Sequence, residues 1–149
     1  MTNTFFKYLA LSAAAIGLAA CSAPTASDAP IAATPVVQTS VQSVVSTGTF
    51  SGLSDHETVG TATLVKTADG YGLLLSDDFE LDGAPDPVIG FGADGVYDTA
   101  SEVADLTHRT GEQTYTLPAS FDPVRHTQVY VWCGEFSVPL GVANLTPAS

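Results

Sequence analysis

From Thr47 onward the chain never sustains the apolar stripe of a helix. Short runs rich in Val, Thr, Phe, Tyr and Leu recur instead between clusters of Gly, Asp and Pro. This spacing predicts strands near Gly48 to Leu53, Thr58 to Lys66, Tyr71 to Asp77, Val88 to Gly92, Val103 to Thr107, Gln113 to Leu117, Thr127 to Cys133 and Phe136 to Leu145. Asp69-Gly70, between the second and third, is a tight-hairpin signal. Strands this short, with turn residues this close together, point to an all-β fold: an antiparallel β-sandwich or closed β-barrel of about eight short strands. Residues 47–145 number roughly 100, enough for one core and too few for two domains.

The last hairpin allows a closer reading. Only Gly134 and Glu135 separate Cys133 from Phe136, which suits a two-residue type II′ turn with Gly first. That register pairs Cys133 with Phe136, Val131 with Val138 and Val129 with Leu140, so one face of the ribbon is wholly apolar and the Cys133 thiol points into the core. Tyr130 and Trp132 lie on the opposite face, over small partners, where they form a candidate sugar-stacking ligand face or pack under a neighbouring loop. Pro139 cannot donate to a ladder, which predicts an edge or a bulge there.

Upstream, Lys7 begins a leader whose stretch from Tyr8 to Leu18 is mostly apolar, followed by small residues and Cys21. A membrane-spanning helix needs about 20 apolar residues, and this run stops short of that. The string Leu18-Ala19-Ala20-Cys21 resembles the processing site of bacterial lipoproteins, which implies a signal peptide over 1–20 and acyl chains, palmitate among them, on Cys21. Ser22 is not the aspartate that favours inner-membrane retention in such proteins, so an outer-membrane anchor is expected, with the folded domain in the periplasm or at the cell surface. Residues 21–46, rich in Ala, Pro, Ser and Thr, read as a flexible tether of on the order of 25 to 30 Å.

If Cys21 is lipidated, Cys133 has no disulfide partner in the mature chain, although its compartment oxidises thiols. Two readings stay open: a buried, inert structural thiol, or a redox or ligating group reachable at the end of the core.

The net charge is −12, and without Lys7 there are 16 acids against three bases. Such a surface repels phosphate backbones and anionic headgroups, so no nucleic-acid partner is expected and membrane contact falls to the N-terminal lipid. Asp78 to Gly83 begins like a calcium loop, but Glu80 and Ile89 occupy ligand positions that need other residues, leaving a solvated acidic turn. Ser54-Asp55-His56 contains triad residue types, yet neighbours in a turn diverge, and Asp as a local cap accounts for them. His56, His108 and His126 lack the close pairing of a zinc site, and no metal is expected.

Several pieces in order resemble the DM-thirteen domain family. They are Gly48-Thr49-Phe50, His56 with Gly60, Leu73-Leu74-Leu75 running into Asp78-Phe79, and Ala84-Pro85-Asp86. Then come Gly111-Glu112-Gln113 with Tyr115, Leu117 and Pro118, Val129 to Cys133, Phe136-Ser137-Val138 and Gly141 to Leu145. The family's Gly-Pro-Asp reads Ala84-Pro85-Asp86 here, after Gly83. The resemblance implies an all-β extracytoplasmic electron-transfer module in which Cys133 acts as a thiol or as ligand to a prosthetic group such as haem, with His56 the next residue to test. It implies a redox or envelope protein partner and no independent catalytic activity.

Overall fold

The computed structural model describes residues 41–149; the expected signal peptide, Cys21 and the tether up to residue 40 lie outside the described residues. The described part is all-β. Its strands are β1 (Val41–Gly52), β2 (Thr58–Val59), β3 (Thr61–Thr67), β4 (Gly70–Leu75), β5 (Glu80–Leu81) and β6 (Pro87–Ala93). They continue as β7 (Val96–Asp98), β8 (Ala104–Asp105), β9 (Gln113–Thr116), β10 (Gln128–Cys133), β11 (Val138–Asn144) and β12 (Thr146–Pro147). A single 3-10 turn, Thr99–Ser101, follows β7.

The main sheet runs β7-β6-β10-β11-β1-β3-β4-β9, with β12 beside β1 and β8 beside β6, every pair antiparallel; it curls as a half-barrel. Strand β1 makes the curl, because its first part, through Thr49, pairs with β3 while Phe50–Gly52 pair with β11. It begins at Val41 rather than Gly48, so residues 41–46, expected as the end of the tether, belong to the sheet. Ladder bonds to β3 and β12 hold it there, with Val45 packed against the core and Ser46 buried. The expected strand Thr58 to Lys66 is split at Gly60, whose φ of 101° and contact with the Phe79 backbone exclude a side chain. The first half, β2, leaves the main sheet to pair with β5.

The concave side is filled by Phe50, Leu64, Leu73, Leu75, Ile89, Phe91, Val129, Val131 and Leu140, with Phe79 edge-on to Phe50 at 5.4 Å. The β3–β4 hairpin forms at the expected place, but its loop is Ala68-Asp69, with Gly70 already paired to Thr67. The final hairpin departs further from expectation. Ser137 N–H donates to Cys133 O (2.9 Å), and Ser137 takes a left-handed φ of 54°, which makes Gly134 to Ser137 a four-residue loop. Cys133 therefore opposes Val138, not Phe136, and Phe136 stands 63% exposed. A bulge beside Pro139 then sets Val131 against Gly141 and Val129 against Ala143. The loop shifts the register by an even step, so Cys133 keeps its inward orientation.

Candidate functional site

Cys133 is the last residue of β10, flanked in the sheet by Pro87 of β6 and Val138 of β11. It is 1% exposed and a free thiol. Its S–H donates to Pro85 O at 3.1 Å. Pro85 belongs to residues 82–86, the loop that joins β5 to β6, and Pro85 and Asp86 are themselves exposed. One layer of chain therefore separates the sulfur from solvent. At its far end the loop also accepts Gly134 N–H at Asp86 O (2.9 Å), and Asp86 has a left-handed φ of 47°.

The near end of the same loop is held by His56. Its Nδ1 lies 2.9 Å from Asp82 Oδ1, while Glu57 N–H donates to Asp82 Oδ2 (3.1 Å) and Asp82 N–H donates to Glu57 O (3.1 Å). The hydrogen bond from His56, followed by that from the Glu57 backbone, holds the Asp82 carboxyl below its ordinary pKa. His56 is positioned by the β1–β2 turn, where its N–H donates to Leu53 O and where Ser54 and Asp55 take left-handed φ values. The two residues implied by the family resemblance are thus brought to one loop: Cys133 grips it at Pro85 and His56 at Asp82. The β2–β5 ladder and the β6–β10 ladder fix the loop's two ends.

The outer face of β10 carries Tyr130 and Trp132. A residue that the strand pattern did not single out, Tyr97 of β7, roofs both: its ring stacks on Trp132 at 4.4 Å and 11°, and meets Tyr130 edge-on at 5.7 Å. Gly90 of β6 makes room for it, since a Cβ there would lie 2.7 Å from Tyr97 Oη, while Gly92 makes room for Val96 O and the Tyr130 ring. Tyr130 is consequently buried at 3% exposure, and Trp132 is half-buried. Tyr97 Oη is buried without a hydrogen-bond partner, and burial pushes its pKa up to about 12. The sequence did hold a signal for Tyr97. Asp94-Gly95, with φ of 53° and 80°, is a type I′ turn between Ala93 and Val96, and that turn creates β7. Beside the stack, Tyr130, Trp132, Leu53, Pro139, Val142 and Gln128 line an open trough of about 500 Å³.

His108 lies on an exposed turn, and the ring of His126 stacks on Phe121 at 5.0 Å. Among the described residues no three His, Cys, Asp or Glu side chains gather as a metal site. Haem does not fit as a ligand of Cys133 in this conformation. The sulfur is enclosed by β6, β11 and Pro85, and its proton is already engaged, so it has no open side for a macrocycle.

A model of the family described as Electron transfer DM13 matches residues 49–145, more than half of the chain and nearly all of the sheet. No curated protein and no solved structure matches.

Proposed function

The chain belongs to the Electron transfer DM13 family, and from that premise we propose that it is a lipid-anchored extracytoplasmic module whose Cys133 thiol is the redox group. The observation that carries this reading is the placement of the thiol, a free cysteine covered by a single exposed loop and held at Pro85 O. A lone thiol exchanges with a partner's disulfide. Its thiolate attacks one sulfur, the partner's S–S bond breaks, a mixed disulfide forms, and the displaced thiolate takes up a proton. The partner is an envelope redox protein with an accessible disulfide, and Cys133 serves as a carrier rather than as the centre of an independent enzyme. While residues 82–86 are seated, the thiol is shielded; when they lift, it is presented.

Titration of the native full chain with a disulfide reagent tests this. Cys133 is expected to react more slowly than a free thiol, and several-fold faster in Asp82→Ala, which releases the loop from His56 and Glu57. Reaction only upon global unfolding, in both proteins, sinks the redox reading. Attachment through Cys21, at the outer membrane, predicts incorporation of labelled palmitate that Cys21→Ala abolishes; incorporation unaffected by that change refutes it.

The trough beside Trp132 favours a second reading, a non-catalytic envelope binding or adhesion module with Cys133 as a structural thiol. Aromatic faces pack against the C–H faces of sugars, and Trp132 fluorescence is then expected to change on adding a glycan and to lose that response in Trp132→Ala. A spectrum indifferent to glycans removes this reading.

A further inference from the structure

On the side of the sheet where β7 meets the loop before β10, two side chains are oriented towards each other by bonds that leave one donor atom free on each. His126 is fixed by Phe121, stacked at 5.0 Å and 20°, and by Phe91 at 5.7 Å. Its Nδ1 lies 3.0 Å from Asp122 O, and since a carbonyl only accepts, Nδ1 carries a proton, which leaves Nε2 as the nitrogen able to offer a lone pair to an ion. Asp98 spends Oδ1 on Ala100 N–H at 2.9 Å. Oδ2 is left facing His126 Nε2 at 3.9 Å. That gap is too long for a hydrogen bond. It is close to the separation of about 3.4 Å that a tetrahedral ion sets between an imidazole nitrogen and a carboxylate oxygen bound at about 2.1 Å each.

Both groups line a cleft of about 300 Å³ together with Glu102 and Asp122, three carboxylates against the single guanidinium of Arg125. We propose that His126 Nε2 and Asp98 Oδ2 bind a divalent transition-metal ion of the Zn²⁺ or Cu²⁺ class, with water filling the remaining positions. The ligand chemistry selects the ion, because imidazole with carboxylate suits Zn²⁺ and Cu²⁺ better than the all-oxygen cations. The Asp122 carbonyl and the Ala100 amide are the outer contacts that hold such ligands in orientation. The site is independent of Cys133 and of the redox reading.

Calorimetric titration of the full chain with Cu²⁺ and with Zn²⁺, in a Cys133→Ala background that removes the thiol, tests the site. One ion per chain is expected, Cu²⁺ more tightly than Zn²⁺. Binding should weaken at least about tenfold in His126→Gln and in Asp98→Asn, and should be unchanged in His56→Gln. Asn keeps the oxygen that accepts Ala100 N–H, so Asp98→Asn reads the ligand in a folded protein even if His126→Gln disturbs the stack on Phe121. No heat of binding, an affinity untouched by Asp98→Asn, or an equal loss in His56→Gln overturns the proposal.

Discussion

On its inner side β10 presents Val129, Val131 and Cys133 to a closed core; on its outer side the same strand presents Tyr130 and Trp132 to a roof made largely by Tyr97. The inner side is closed redundantly, by β6 and β11 along its edges and by Leu140, Ile89 and Phe91 around it. At Cys133 the strand ends, and Pro85 O, in the loop of residues 82–86, takes the S–H. The outer side depends on one side chain seated over Gly90. Burial of similar extent thus rests on different supports: Tyr130 at 3% and Cys133 at 1% are each covered by a short piece of chain, whereas Val131 at 0% is covered by the whole sheet.

Removing support from the inner side should cost most. Phe91 contacts Phe121 at 4.6 Å and is fully buried, so Phe91→Ala is expected to destabilise by about 3–5 kcal/mol, read as a lowered urea midpoint. A shift no larger than that of an outer-face truncation would erase the distinction between the faces. Next comes Gly92→Ala, whose new Cβ would collide with Val96 O, a backbone atom, and with the Tyr130 ring. The clash should open the β6–β7 hairpin and cost about 1–3 kcal/mol, with Trp132 emission shifted to the red as Tyr97 lifts away. Unchanged stability and emission would mean that Gly92 is not needed for the hairpin that carries the roof.

Much of this contrast was legible in the residues. Alternation along Val129 to Cys133 predicted which side chains face inward, and it held although their partners moved, by two residues at Cys133 and by three at Val131 and Val129 beyond the bulge. The partner of Cys133 was not legible. A left-handed Ser137 gives no compositional signal of the kind that glycine gives, whereas the bulge beside Pro139 is the irregularity that the proline predicted. The covering of Cys133 by Pro85 and the link of His56 to Asp82 arise from separations of 48 and 26 residues. Such contacts follow from strand order, to which periodicity is blind. Tyr97 was readable from the Asp94-Gly95 turn, whereas its seat over Gly90 required the β6–β7 register.

Truncating the outer face should cost less. Trp132 is half-buried and owes its order chiefly to the Tyr97 stack, so Trp132→Ala is expected to cost about 0.5–1.5 kcal/mol beyond its lost burial, in the same urea assay. A cost equal to that of Phe91→Ala would place Trp132 in a core as closed as the inner one.

The smallest effect isolates the roof itself. Tyr97 Oη is buried without a partner, so Tyr97→Phe keeps the ring on Trp132 while removing a desolvated hydroxyl, and the variant should be as stable as the parent or slightly more so at neutral pH. Alkaline pH separates the two proteins. Burial, together with the carboxylates of Glu102 and Asp98, raises the Tyr97 pKa from 10.0 to about 12. Between these values the unfolded chain has lost the phenolic proton while the folded chain still holds it, so the parent's stability falls as pH rises through this window. Tyr97→Phe lacks that titration and should show a shallower loss over the same range. Parallel pH profiles for the two proteins would mean that the hydroxyl already meets water, and that the outer face is open where the stack makes it closed.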